Sequence, residues 1–478
     1  MPHLVSRAHT WLGLGALLVA TLLAIGTAHA VVLEDTGLAD PAPLVCPVPP
    51  RPTARPTPTT PTPPPPQPEP DDTADADLWP LPVPDLTSVD AVAAMPVPQA
   101  LRIALWGDSH TAAGFLSEGL IQGLGYTPDE VDSGFIPASF GLAGVRLPVR
   151  KVCVGPGWGR THAFRTKAAG AVLPPSLVQG KTTESGGYLW LDFRTTARPQ
   201  GLAALDVPFS PPDALRVNNT VLAVSLNGAP ERVVSLDRSA DRLLELRSAN
   251  GIQTVQLRLI SGELAIDGLL PHHTTPPKLL LDTFGIPGAT ARGWEVVDPT
   301  AFTMLAAPDA QTGGESQASR PPRSGYDLLL LAYGTNEGSD TGYDSAKYAA
   351  SLRTGLRNLR TAYPQAACML LGPTDRGVPV RQAAASGTAK RSTQPPRPPP
   401  LHPLHYSRIH RSISEVQKRV GAEFGCRFWD WQSFMGGPGG ARRWLAQNPP
   451  LMAPDLIHLT VQGYRVSGQR LGALLRGR

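Results

Sequence analysis

LRIALWGDSHTAAGF, residues 101–115, runs from an apolar segment straight into Gly107, Asp108, Ser109 and His110, then into small residues able to open a helix. A short apolar run closed by glycine reads as a buried strand. A serine delivered at the end of such a strand is either a displayed nucleophile or an ordinary helix N-cap. Outward from it, YDLLLLAYG (326–334), AACMLLGP (366–373) and CRFWDW (426–431) repeat the buried-strand pattern. Between them, Tyr348, Leu352, Leu356, Leu359 and Tyr363 recur at helical spacing behind Asp344, a cap. Ile409, Ile413, Val416 and Val420 mark a second helix, and residues 460–475 a third, capped by Thr460. Strands alternating with helices predict an α/β fold built on a doubly wound parallel sheet.

Residues 151–278 break that rhythm. YLWLDFRT, NTVLAVSLNG, RLLELRS and IQTVQLRLI are short alternating segments separated by Gly, Asn and Pro turns, the pattern of an inserted all-β sandwich. The expected organisation is a signal peptide or signal anchor over 1–30, a Pro/Thr-rich tether over 31–95, a first catalytic segment over 96–150, the β insert, and a second catalytic segment over 279–478. Residues 381–400, basic and rich in proline, read as a loop.

The chain has 478 residues, with 43 Lys and Arg against 39 Asp and Glu, and its basic residues form no dense block, which argues against a nucleic-acid partner. Arg7, the apolar run WLGLGALLVATLLAIG and Ala28-His29-Ala30 form an export signal, cleaved or kept as a membrane anchor, so the body is expected outside the cytoplasm, periplasmic or associated with the cell envelope. Of four cysteines, Cys368 and Cys426 each open an expected strand; they form either a bridge or two buried thiols. Cys46 lies in the leader and Cys153 near the start of the insert.

Three further stretches would emerge at the carboxyl edge of a parallel sheet, where open α/β folds bind ligands. DTFGIPGAT (282–290) carries Gly285 and, close by, Gly288; YGTNEG (333–338) carries Asn336; DLIHLT (455–460) places Asp455 three residues before His458. A serine hydroxyl needs a base, and the base needs a group that fixes its tautomer. Ser109, His458 and Asp455 suit those roles. The backbone N–H groups of Ser109 and Gly285 and the side-chain amide of Asn336 suit an oxyanion hole. His110 and Asp108 read as structural neighbours of the nucleophile turn. His402 and His405, in a proline-rich segment, read as loop histidines, and His272 and His273 carry no stronger metal signal, so neither a metal nor a cofactor is expected. Trp158, Tyr188 and Trp190 in the insert are either sugar-stacking or core aromatics.

Ser109 in Gly-Asp-Ser, Gly285, Asn336 in Gly-x-Asn and His458 in Asp-x-x-His, in this order, resemble the SGNH (GDSL-type) hydrolase superfamily. WGDSHTA, AYGTNE, FWDWQSFMGGPGGARRW and DLIHLTVQGYRVSGQRLG are similar to the exported peptidoglycan O-acetylesterases that carry a jelly-roll, carbohydrate-binding-like module between their first two catalytic blocks. The resemblance spans residues 96–478 and implies a flavodoxin-like fold and a serine esterase that removes O-acetyl groups from a cell-envelope glycan through an acetyl-serine intermediate. A glycan O-acetyltransferase using the same triad, or a non-catalytic glycan-binding protein, are the alternatives.

Overall fold

The computed structural model describes residues 30–35, 37–47, 101–167, 169–195, 198–210, 219–237, 242–306, 325–339, 342–379 and 401–477. The expected signal segment up to residue 29, the leader beyond residue 47 and the loop at 381–400 lie outside the described residues.

Six parallel strands form the catalytic sheet: β1 (Leu101–Gly107), β2 (Val131–Asp132), β3 (Leu279–Gly285), β4 (Leu328–Ala332), β5 (Ala367–Leu371) and β6 (Arg427–Trp429), in the order β6-β5-β4-β1-β3-β2. All their pairings are parallel. Both faces are covered, which is why the strands read as continuous apolar runs. In β1, Ile103 and Leu105 pack with Leu116 and Leu120 of helix α2 (Phe115–Leu124) and Leu471 of α8 (Val461–Leu475). Ala104 and Trp106 face the other way, toward Leu352 and Leu356 of α4 (Ser345–Ala362) and Ile413 and Val416 of α5 (His405–Glu423). The expected caps are in place, Asp344 accepting from Ala346 and Lys347 and Thr460 from Gly463. Cys368 and Cys426 are bridged, tying the starts of the neighbouring β5 and β6.

Helices α2 and α8 pack almost backbone to backbone. A Cβ on Gly468 would lie 2.3 Å from the Leu116 carbonyl, and only glycine permits that approach. Helix α2 follows Ser109 and α8 follows His458, so this contact binds the two halves of the site to each other.

The insert is a sandwich of two sheets. One orders strands 31–35, 243–252, 202–210, 264–266, 178–182 and 159–162, with 268–272 joining 202–210 to 136–137; the other orders 232–235, 221–226, 254–261, 188–192 and 151–154. Leu189, Leu191, Leu246 and Val255 lie in the core between them.

Three features depart from the expected organisation. Residues 31–35 are an edge strand paired in parallel with 243–252, and Cys46 is bridged to Cys153, so this part of the leader belongs to the sandwich and is not tether. VVLED, three apolar residues followed by two acidic ones, carries no alternation that would mark it as a strand in the sequence. The sandwich also begins before residue 151, since Ile136–Pro137 pairs with 268–269, and it enters the body after the two-residue edge strand β2. Finally, the insert and the body share a core. Ala163, Leu173, Leu177 and Val178 pack with Trp106 and Trp294, and the Trp106 indole N–H donates to the Pro175 carbonyl at 2.8 Å. The fully buried Asp282 of β3 receives the Ser133 hydroxyl and the Gly134 and Phe135 amides at 2.7–2.9 Å, fixing the chain where it leaves for the insert.

Candidate active site

The end of β1 turns at Asp108 into a short helix, α1 (Ser109–Ala112), which sets Ser109 at the carboxyl edge of the sheet. Asp108 caps it, accepting the His110 amide at 2.9 Å. The expected turn-fixing role fits this geometry. Burial pushes the Asp108 carboxyl up to about 8, opposed by the His110 amide and reinforced by the nearby Glu337 charge.

At the other end of the chain, Ala453–Thr460 forms a tight turn ahead of α8. Leu456 is left-handed at φ 56°, an unfavourable conformation for a branched residue, and it is held there by contacts on both sides. Its amide donates to Ala453, and its carbonyl accepts from Gly377 at 3.0 Å. The turn folds Asp455 back on its own loop, so that Oδ1 accepts the Ile457 and His458 amides, each at 2.9 Å. Asp455 Oδ2 stands 2.7 Å from His458 Nδ1, and His458 Nε2 stands 3.0 Å from Ser109 Oγ. Partial burial works upward on the Asp455 carboxyl, but the His458 ring and the two amides hold it below the usual carboxylate range. Residues separated by 349 positions thus form a hydrogen-bonded Ser-His-Asp chain.

Asn336 lies in the loop after β4, and Gly285 is the last residue of β3. Asn336 Nδ2 donates to the Ala289 carbonyl at 2.8 Å. An amide nitrogen carries two hydrogens, so one remains for another acceptor. Gly285 pairs with Gly107 at the end of β3, and a Cβ there would lie 2.4 Å from the Ala112 nitrogen. Its position is the buried floor beneath the nucleophile turn. Gly288, left-handed at φ 82° with open space around it, is exposed and adjoins Ala289, the residue that Asn336 holds. The two glycines thus differ in setting, Gly285 under the nucleophile turn and Gly288 on the exposed loop that Asn336 ties down.

The sequence reading missed Glu337. Its Oε1 accepts the Ala291 amide at 2.8 Å and its Oε2 the Gly334 amide at 3.0 Å. With Asn336 it cross-links the Gly288 loop to the Asn336 loop, and burial pushes its carboxyl up. The signal available was its place directly after Asn336 in YGTNEG.

His110 is buried, its Nδ1 3.1 Å from the Tyr464 hydroxyl and its ring packed against Trp431. Burial, then the neighbouring His458 and His410, push it down to about 3, so it packs as a neutral ring. His402 lies in a turn and accepts the Leu404 amide, and His405 opens α5. His272 pairs with Asp206 at 2.7 Å and His273 with the Ser133 carbonyl at 2.9 Å. Among the described residues no three His, Cys, Asp or Glu side chains gather as a metal site. Tyr188 and Trp190 pack against each other, ring centroids 4.9 Å apart and planes tilted by 37°, on the outward face of their strand, while Trp158 packs onto the sandwich core.

Residues 267–466 match the GDSL-like Lipase/Acylhydrolase family. By structure the chain is similar to a peptidoglycan O-acetylesterase, with a TM-score of 0.51 and 21% identity over 78% of this chain and 90% of that one. A weaker likeness, with a TM-score of 0.24 and 11% identity over 68% of this chain and 98% of that one, is to a family two carbohydrate esterase from Cellvibrio japonicus. No curated protein matches the sequence.

Proposed function

We propose that this carboxylic ester hydrolase of the SGNH (GDSL-type) fold is exported and removes O-acetyl groups from a cell-envelope glycan, peptidoglycan in the first place. The observation that carries the proposal is the Ser109–His458–Asp455 chain, held in an open position. The His458 and Asp455 side chains are 43% and 46% exposed, which suits a small acyl group carried on a bulky alcohol. The likeness to a peptidoglycan O-acetylesterase and the two disulfides, usual in an oxidising compartment, support the same reading. Among the described residues no helix is long and apolar enough to cross a membrane, and export by residues 1–30, cleaved or kept as an anchor, is part of this proposal.

In the proposed reaction His458 Nε2 takes the Ser109 proton as Oγ attacks the acetyl carbonyl, and Asp455 stabilises the imidazolium. The oxyanion that forms is held by the Ser109 and Gly288 amides and the second Asn336 amide hydrogen, each donor worth about 3 kcal/mol of barrier. As the bond between the acyl carbon and the sugar oxygen breaks, His458 returns the proton to that oxygen, so the sugar leaves as an alcohol and acetyl stays on Ser109. Water, deprotonated by His458, then attacks the acetyl-serine, and acetate leaves as Ser109 recovers its proton. Acetate release from O-acetylated peptidoglycan, set beside acetylated xylan and alginate, tests the proposal. Release matched by Ser109→Ala would reject it.

A further inference from the structure

We propose that Arg376 forms an anion subsite beside Ser109, so that the preferred substrate is an acetylated sugar bearing a carboxylate. The proposal rests on the glycan deacetylation reading and narrows its substrate class.

Arg376 leaves the end of β5 in the segment GPTDRGVP. The amide of the next residue, Gly377, donates to Leu456 inside the turn that carries Asp455 and His458. The Arg376 guanidinium sits over the Tyr406 ring, Cζ 3.9 Å from the centroid, and Nη1 donates to the hydroxyl of Ser339, three residues beyond Asn336. Arg376 therefore sits between the loop of the proposed oxyanion donor and the turn of the base. The charge of Asp455 acts on it, and its own charge acts on His110.

Among the described residues Arg376 makes no ion pair with a carboxylate, although the Asp455 charge reaches it. Some partly buried arginines meet carboxylates, as in Arg194–Asp192 at 2.7 Å, Arg198–Asp132 at 2.7 Å and Arg465–Glu118 at 2.8 Å, and others, such as Arg292, are satisfied by backbone carbonyls. Arg360 is likewise met by the backbone carbonyls of Phe424 and Ala366. Among the described residues Arg376 has only a hydroxyl and a ring face, and its Nε is buried with no partner. The sequence that follows, 381–400, contains Arg381, Lys390, Arg391 and Arg397 and no Asp or Glu, so it adds no carboxylate. Burial pushes the guanidinium downward from its ordinary value. A half-buried, unpaired cation is costly unless something completes it. The Tyr406 ring backs the guanidinium, and a planar fork of donors matches a carboxylate.

The test compares the methyl glycosides of 6-O-acetyl-N-acetylmuramic acid and 6-O-acetyl-N-acetylglucosamine, which differ only in the lactyl carboxylate group. An O-acetylated methyl mannuronoside carries a ring carboxylate in its place. Wild-type kcat/KM is expected to favour the muramic ester over the glucosamine ester by about tenfold or more, the scale of one charged hydrogen-bonded contact. Arg376→Gln should bring the ratio near one, and Arg376→Lys should keep part of it, having the charge without the fork. The ratio within one variant is independent of how much of it folds. Preference for both acids over the neutral ester assigns the subsite to carboxylates in general; preference for the muramic ester alone assigns it to the lactyl group. An unchanged ratio in Arg376→Gln, or no wild-type preference, overturns the subsite while leaving deacetylation standing. Wild-type turnover of 4-nitrophenyl acetate with neither sugar ester cleaved overturns the deacetylation reading, and the subsite with it.

Discussion

Replacing Asn336 with alanine separates what its side chain does for the transition state from what it does for the fold. In the native structure one amide hydrogen is committed to the Ala289 carbonyl at 2.8 Å. The substitution removes that neutral hydrogen bond at a partly buried position, a loss of about 1 kcal/mol of stability that lowers Tm by a few degrees. It also removes the second hydrogen, aimed at charge that exists only in the transition state. An oxyanion donor is worth about 3 to 4 kcal/mol, or 10²- to 10³-fold in kcat, with KM almost unchanged. Stopped-flow kinetics on 4-nitrophenyl acetate, with a thermal melt of the same preparation, measures both. A raised KM at constant kcat would make Asn336 a ground-state substrate contact. A kcat loss restored by lowering the temperature well below Tm would reduce it to a structural staple. Either result refutes the reasoning.

Asp455→Asn should lower kcat by on the order of 10² or more and be worse than Asp455→Ala, because an amide can donate to His458 Nδ1 and impose the wrong tautomer; equal rates for the two variants on 4-nitrophenyl acetate would contradict this. Asp108→Asn keeps an oxygen for the His110 amide but cannot ionise. The folded Asp108 pKa of about 8 exceeds the ordinary 3.8, so its contribution is fully present at low pH and is lost as pH rises from about 4 to about 8. The Tm of Asp108→Asn minus that of wild type should therefore increase between pH 5 and 8.5, and parallel Tm curves would disprove the burial argument. Excising 151–278 should give a protein without native near-ultraviolet circular dichroism, since Trp106 loses its Pro175 acceptor and the core it shares with Ala163, Leu173, Leu177 and Val178. Native spectra with esterase activity would show the insert to be a separable module.

The strands of the catalytic sheet were legible because both their faces are buried, leaving runs such as LLLLA at 328–332 with no competing period. Ser109, Asn336, Asp455 and His458 were legible because each follows a strand or precedes a helix at one sheet edge. Gly285 and Gly288 differ in burial and φ, which sequence does not display, so their roles could not be separated by spacing. Arg376 and Glu337 escaped for a related reason. Each acts through a loop that meets it only in three dimensions, Leu456 for the first and Ala291 for the second. The strand at 31–35 was obscured because VVLED, three apolar residues followed by two acidic ones, has no period-two alternation.

The central claim is that Ser109 carries the acetyl group during turnover of a glycan ester. Rapid acid quench of the protein during turnover of O-acetylated peptidoglycan, followed by peptide mass spectrometry, tests it most directly. The account predicts acetyl on the peptide containing Ser109, its disappearance when substrate is exhausted, and no adduct or acetate release with Ser109→Ala. Acetate released by Ser109→Ala, or an acetyl group carried by another residue in the wild type, would contradict it.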